Sequence, residues 1–395
     1  MSDKELRAEL ANLPAELRTR LEFGDFDVGR FIEIAEPVLA RARGENIPHA
    51  SEINRVRGVV EPPRDSDLDD APSSDTAGFE RLVARGCDAL AHGRLAFCVM
   101  AGGMATRMGG VVKALLDVLP RKTFLDLRML DNAAWSAHSE HPVPLWIMTS
   151  HATDAPIREA LDQRGAGAHI ATFPQNLALR LTREGRLFRT LEGEPSPYAT
   201  GHGDLPDALR RSGLLARFME RGGQFVWIAN IDNVGATIDP ALLGMFAEQK
   251  VDAMVELAPK RPGDRGGIPA WADAARPGTR SVRRLQVLEE FRLPESFDAA
   301  SVRVFNTNTM LVRADALLRA PLQWTWFEVE KLVDGRMAIQ FERLLQEITA
   351  TLRTAYVRVP RDGEASRFIP VKGFDELAAQ RDVIEVVARA RGLLV

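Results

Sequence analysis

Apolar positions along the chain follow two rhythms. In residues 1–60, Leu6, Leu10, Leu13, Leu17 and Leu21 recur at helical spacing, and Phe31, Ile34, Ala35, Val38 and Leu39 form a second helical face. Ser2 with Glu5 three positions later is a capping-box pattern. Pro14 interrupts the leucines where it can open a second helix. From Thr76 onward, short apolar runs alternate with amphipathic stretches. The runs at 95–99, 145–148, 169–173, 225–229 and 253–257 predict strands. The stretches 79–90, 123–138, 156–163, 205–221 and 240–249 predict helices. Such alternation predicts an α/β fold: a mostly parallel mixed sheet flanked by helices, Rossmann-like, with a helical N-terminal segment and a small C-terminal α+β part. Ligands of such sheets bind beyond the carboxyl ends of the strands.

Residues 61–75 break the pattern with acidic, proline and serine residues, as a linker does. The expected division is therefore 1–60, 61–75, a main core over 76–320, and a C-terminal part over 321–395 that completes the active site. A chain of 395 residues exceeds what one hydrophobic core usually serves. The net charge of −4 argues against a nucleic-acid partner but permits nucleotides, which need only local positive charge. Two cysteines, Cys87 and Cys98, make no disulfide framework, and a reduced, cytoplasmic setting is expected. The charged N-terminus lacks a signal-peptide core, and no apolar run nears the ~20 residues of a membrane span.

The residues that carry chemistry fall just after predicted strands. Met100-Ala101-Gly102-Gly103 opens a glycine-rich turn that continues through Thr106 and Arg107 to Lys113. Glycines let backbone N–H groups approach a base or phosphate, and the cations suit phosphate. Neither the Gly-x-Gly-x-x-Gly fingerprint nor a Gly-Lys-Ser/Thr element is present. Gln175 follows the third strand, and its amide offers the donor and acceptors that an imide edge needs. Gly201-His202-Gly203-Asp204 precedes a helix. Its glycines expose the imidazole, while Asp204 could serve as the helix cap. Asn230-Ile231-Asp232-Asn233 follows the strand at 225–229, where a carboxylate can hold Mg²⁺ beside phosphates. Farther on stand Glu256, Lys260 and Glu289. Phe305-Asn306-Thr307-Asn308 is dense in groups that read sugar hydroxyls. Ser366-Arg367-Phe368-Ile369-Pro370-Val371-Lys372 ends an apolar run on a basic residue.

The glycine turn resembles the start of the nucleotidyltransferase domain of sugar-nucleotide pyrophosphorylases, Gly-Gly-x-Gly-Thr-x-x-Gly…Pro-Lys. Ala105 stands where that pattern has glycine, and Val112 where it has proline. The four later motifs look like successive motifs of UTP–glucose-1-phosphate uridylyltransferases, in the family's order, with similarity from about Leu95 to about Asp382. The resemblance implies that the backbone of Met100, Ala101, Gly102 and Gly103, with Gln175, holds uracil. Lys113 would meet the UTP phosphates, and Gly201 would pack on the nucleotide. His202, Asn230 and Glu256 would serve the sugar phosphate, with Glu289, Asn306 and Asn308 near the hexose. Asp232 would bind Mg²⁺ and ribose, and Lys372, Lys113 and Arg107 would be the catalytic cations. Family members often carry a C-terminal β-helix, which is expected to be missing here. The implied reaction is in-line attack of a sugar 1-phosphate on the α-phosphorus of UTP. Galactose 1-phosphate and N-acetylglucosamine 1-phosphate are alternative acceptors, and an inactive nucleotide-sugar binding protein is the alternative to an enzyme.

Overall fold

Leu95-Ala96-Phe97-Cys98-Val99-Met100 is apolar at every position because both faces of its strand are covered. The computed structural model describes residues 1–105, 110–264, 266–274, 282–322, 324–371 and 373–394. Its main sheet holds eight strands: β1 (Asp69–Asp70), β2 (Leu95–Met100), β3 (Leu145–Thr149), β4 (Ile170–Pro174), β5 (Phe225–Asn230), β6 (Ala253–Pro259), β7 (Val304–Arg313) and β8 (Thr354–Arg358). They lie in the order β1-β8-β6-β7-β5-β2-β3-β4. β7 runs antiparallel to both neighbours, and every other pair is parallel. Successive side chains point to opposite faces. Leu95, Phe97 and Val99 therefore join one core, shared with Phe225 and Trp227 of β5, while Ala96, Cys98 and Met100 join another on the reverse face.

The predicted helices form nearby, and the C-terminal part adds one not singled out in the sequence. They include α1 (Asp3–Ala11), α2 (Ala15–Phe23), α3 (Val28–Ala42), α4 (Phe79–Ala91), α5 (Phe124–Ser136), α6 (Asp154–Gln163), α7 (Leu205–Ser212), α8 (Pro240–Glu248) and α9 (Phe374–Ala390). Ser2 and Glu5 close the capping box of α1, and Thr123 with Asp126 closes that of α5. The single helix expected over 205–221 is two, parted at Gly213, whose φ of 71° only glycine adopts readily.

Two expectations on domain organisation need correction. Residues 61–75 are not a free linker. Asp69–Asp70 pairs with β8, Arg358 donates to Asp70 at 2.6 Å, and the Trp271 indole donates to Asp67 at 2.8 Å. The acidic residues that suggested solvent instead meet these donors. Nor does residue 320 mark a seam, since β8 lies inside the main sheet between β1 and β6. Sequence periodicity also passed over two hairpins, Gly267–Ala274 with Val282–Glu289 and Phe327–Val333 with Arg336–Glu342. The leucines of α1 and α2 pack with α3 on Ile339 and Phe341 of the second hairpin and on Leu177 and Leu179.

α4 and α8 approach through glycine. A Cβ on Gly86 would lie 1.9 Å from the Pro240 carbonyl oxygen, and one on Gly244 would lie 1.9 Å from that of Leu82. Any side chain there forces the helices apart. Gly244→Ala should cost about 1–3 kcal/mol of stability, as overpacked cores do. The measure is a lower urea midpoint at constant slope. An unchanged midpoint would mean that the helices part freely.

Candidate functional site

The carboxyl ends of β2, β4 and β5 bring together the glycine turn, Gln175 and the Asn230–Asn233 motif. Asn230 is in register with Met100, and the Ile231 N–H donates to the Met100 carbonyl at 3.2 Å. Ala101 and Gln175 are tied to β3 through bonds of 2.8 Å to Met148 and Thr149. The Gln175 amide lies over Gly102, where a Cβ would come within 2.7 Å of its Oε1. A side chain at 102 would displace that amide, which sits at the mouth of the turn. The turn continues into a short hairpin, Met104–Ala105 with Val111–Val112, and Lys113 N–H reaches back to Gly103 at 3.3 Å. The Lys113 ammonium pairs with the Asp232 carboxylate, both partly buried. Thr106, Arg107 and Lys372 lie outside the described residues.

His202 is fixed from one side. The Leu345 N–H donates to its Nδ1 at 2.9 Å, so the ring proton sits on Nε2. Burial pushes its pKa down to about 4, with Glu342 a lesser opposing influence. At neutral pH the ring is thus an uncharged Nε2–H donor. The flanking glycines answer to the protein's own backbone. A Cβ on Gly201 would lie 2.6 Å from the Arg343 carbonyl oxygen, and one on Gly203 2.6 Å from the Leu344 nitrogen. Asp204 does not cap α7. Its carboxylate, fully buried, accepts from Arg343 Nε at 2.9 Å, Thr200 Oγ1 at 2.6 Å and Asn176 N–H at 3.1 Å. Arg343 lies over Trp324 and Trp326, its guanidinium carbon 5.3 and 4.9 Å from their ring centroids.

The last motif packs on the Asp232 loop. Asn233 donates to the Arg367 carbonyl at 3.0 Å and accepts from the Ile369 N–H at 2.9 Å. A Cβ on Gly235 would lie 2.5 Å from the Arg367 carbonyl carbon. Glu256, expected toward the sugar phosphate, is engaged elsewhere. Only 1% exposed, it grips Arg367 with both oxygens, at 2.7 and 2.8 Å. It anchors the 366–371 segment and has no oxygen left for a ligand.

Phe305-Asn306-Thr307-Asn308 forms a bulge in β7. Pairing passes from Val255 with Met310 to Leu257 with Asn306, so the β7 side carries the extra residues. Asn308 takes a left-handed φ of 58°, held by its N–H bond of 3.1 Å to the Asn306 side chain. Asn306 and Glu289 meet at Gly267, where a Cβ would lie 3.3 Å from Asn306 Nδ2 and from Glu289 Oε1. Burial, reinforced by the Glu290 charge, pushes the Glu289 carboxyl up to about 7. Gln346 donates to it.

Asn233, Arg343 and Arg367 were missed as functional supports. Asn233 and Arg367 lie inside quoted motifs, whereas Arg343 has no sequence marker. Among the described residues there is no group of three or more His, Cys, Asp or Glu able to hold a metal. No helix among them is long and apolar enough to cross a membrane.

Known proteins share this architecture. The sequence profile of the family described as UTP–glucose-1-phosphate uridylyltransferase matches residues 65–389. UTP–glucose-1-phosphate uridylyltransferase 2 of Dictyostelium discoideum is 27% identical over 72% of this chain and 57% of its own length. The Solanum tuberosum UTP–glucose-1-phosphate uridylyltransferase is 30% identical over 70% of this chain and 58% of its own. The chain thus spans less than two thirds of these curated relatives. A Leishmania major UDP-glucose pyrophosphorylase, solved with UDP-glucose, has a TM-score of 0.67 at 24% identity, covering 88% of this chain and 78% of that one. The Trypanosoma brucei UDP-N-acetylglucosamine pyrophosphorylase has a TM-score of 0.72 at 20% identity, covering 97% and 82%. At those identities the likeness is one of fold. With its profile match running through every motif of the site, the chain belongs to the UTP–glucose-1-phosphate uridylyltransferase family.

Proposed function

We propose that this chain transfers the uridylyl group of UTP to glucose 1-phosphate, giving UDP-glucose and pyrophosphate. The observation that carries this reading is the convergence of the Gly102 turn, the Gln175 amide and the Lys113–Asp232 pair at one sheet edge. A phosphate oxygen of the sugar phosphate attacks the α-phosphorus. The bond from that phosphorus to the bridging oxygen breaks, and pyrophosphate leaves with the electron pair. The monoester is already anionic near neutral pH, so the chain supplies position and positive charge rather than a strong base. The backbone of residues 100–103 and the Gln175 amide read the uracil imide edge, with Gly201 at the nucleotide. Lys113 serves the UTP phosphates. His202 donates from Nε2 to the sugar phosphate, beside Asn230. Glu289, Asn306 and Asn308 face the hexose hydroxyls. Lys372 and Arg107 are assigned to the reacting phosphates on the sequence resemblance.

Asp232 fits Mg²⁺, which is commonly held by one or two carboxylates together with substrate phosphates. When bound, the ion offsets phosphate charge next to Asp232. A cytoplasmic setting belongs to the same proposal, and the two free cysteines agree with it. Pyrophosphate release, assayed with UTP and a panel of sugar 1-phosphates, tests the whole reading. Release with glucose 1-phosphate is expected. A preference for galactose 1-phosphate or N-acetylglucosamine 1-phosphate would move the substrate, and no release with any would leave a binding protein.

Three outcomes follow for particular residues. UTP should be preferred over CTP and ATP by at least about 100-fold in kcat/KM, since a base that leaves buried polar groups unpaired is strongly rejected. Gln175→Leu should narrow that ratio, and equal turnover with ATP would end the uracil assignment. Asp232→Asn should lower turnover at least about 100-fold and flatten its Mg²⁺ dependence. A wild-type Mg²⁺ titration would remove Asp232 from the metal.

His202 gives a pH signature. Its folded pKa of about 4 lies below the ordinary 6.5. Between those values the unfolded chain binds more protons, so stability falls as pH drops from 6.5 toward 4, by at most about 3 kcal/mol. His202→Gln should remove that part of the acid sensitivity. Its ring resonances should also stay unshifted from pH 8 to 5.5, and a midpoint near 6.5 would refute the neutral donor.

A further inference from the structure

At the amino ends of β3 and β4, opposite the edge that carries Gln175, lies a cleft of about 630 Å³. That volume suits a small molecule. Its floor is apolar: Trp146 and Phe218 meet edge to face, centroids 5.4 Å apart, beside Pro144 and Ala171. Around the floor stand His92, His141, His169, Arg217 and Arg221. None of the described residues lining the cleft is acidic.

The charge there is largely unanswered. Asp88 pairs with His92 at 3.2 Å and with Arg94 at 3.1 Å, so its charge is directed to those two. Arg217 makes one long bond of 3.4 Å to the Ser212 carbonyl, and neither Arg217 nor Arg221 has an ion-pair partner among the described residues. Two permanent cations and three imidazoles thus ring an apolar floor. Guanidinium forks match phosphate, sulfonate and carboxylate oxygens, and ring N–H groups add donors. We infer that this cleft binds a small organic anion, an anionic group carried on a flat ring that rests on the Trp146–Phe218 floor. The site is separate from the catalytic edge: four residues of extended chain from Ala171 to Gln175 span about 13 Å.

The test uses 8-anilinonaphthalene-1-sulfonate, a ring-borne anion whose fluorescence rises in apolar surroundings, with the full-length protein and saturating UTP. One equivalent is expected to bind saturably and to survive UTP. Arg217→Gln with Arg221→Gln should weaken it about tenfold, since two exposed ionic contacts are removed. Lysines at both positions should recover much of the affinity. Both arginines are exposed and outside the proposed catalytic machinery, so pyrophosphate release should be unchanged and reports that the variant is folded. The uncharged analogue N-phenyl-1-naphthylamine should bind more weakly. Displacement by UTP, undiminished affinity in the double glutamine variant, equal affinity for the uncharged analogue, or no saturable binding would each overturn the inference.

Discussion

A guanidinium without solvent must have its charge answered, and much of this site depends on how Arg367 meets that demand. Arg367 is 4% exposed, and its partner Glu256 is 1% exposed. Burial works against the charge, and the two-pronged carboxylate outweighs it, so the guanidinium holds its proton more tightly than usual. The same side chain donates to the Thr237 carbonyl at 2.9 Å and lies over the Trp227 ring. Buried pairs of this kind add little net stability against an apolar alternative, yet loss of one partner strands the other. Their use is positional. With both charges in place, residues 366–371 have one seat, beside the loop that carries Asp232, and Asn233 fastens that seat through two further bonds.

A second buried pair does the same for His202. Arg343 bonds Asp204 through its side chain, while its backbone N–H donates to Thr200 and its carbonyl accepts from Gly203. The hairpin that delivers Arg343 is braced in turn. Tyr198 donates its hydroxyl to the Phe341 carbonyl at 3.0 Å and accepts from the Phe341 N–H at 2.7 Å. The other side of that hairpin rests on the leucines of α1 and α2 and on α3. The N-terminal helices thus support, through that hairpin, the segment that bonds the imidazole, without touching it. Their apolar stripe reads in the sequence as ordinary packing, and it is packing, but against the hairpin that leads into the segment setting a tautomer.

This division explains what could be read from the sequence. The runs 95–99 and 225–229 were legible as strands because burial on both faces leaves no polar position. Gln175, His202 and Asp232 stood out as candidates because they follow such strands or sit between glycines. Arg343 did not, because a lone arginine just past a hairpin of mixed polarity looks like surface until its partners are known. The glycines around His202 suggested ligand approach, and the structure supplies a nearer reason in the Arg343–Leu344 backbone. Glu256 shows the same limit: a carboxylate within an apolar strand looks available until a guanidinium 111 positions away is seen on it. Sequence order conveys which residues end a strand, but not which buried charges find each other.

The charges at the catalytic edge differ from the structural pairs in one respect that bears on the proposed reaction. Arg367 and Glu256 are sealed, so exchanging either partner would strand a charge. Lys113 and Asp232 remain partly exposed, with side-chain accessibilities of 20% and 13%. A pair that water still reaches is less locked than a sealed one, and its members can change partners more readily. In the proposed reaction, phosphate oxygens arriving at Lys113 would compete only with such a pair. The carboxylate freed by that exchange would then be open to a cation accompanying those phosphates. The sealed pairs give the edge its shape, and the half-open pair lets it trade charge with a ligand. Chemistry that must bring two polyanions together needs both.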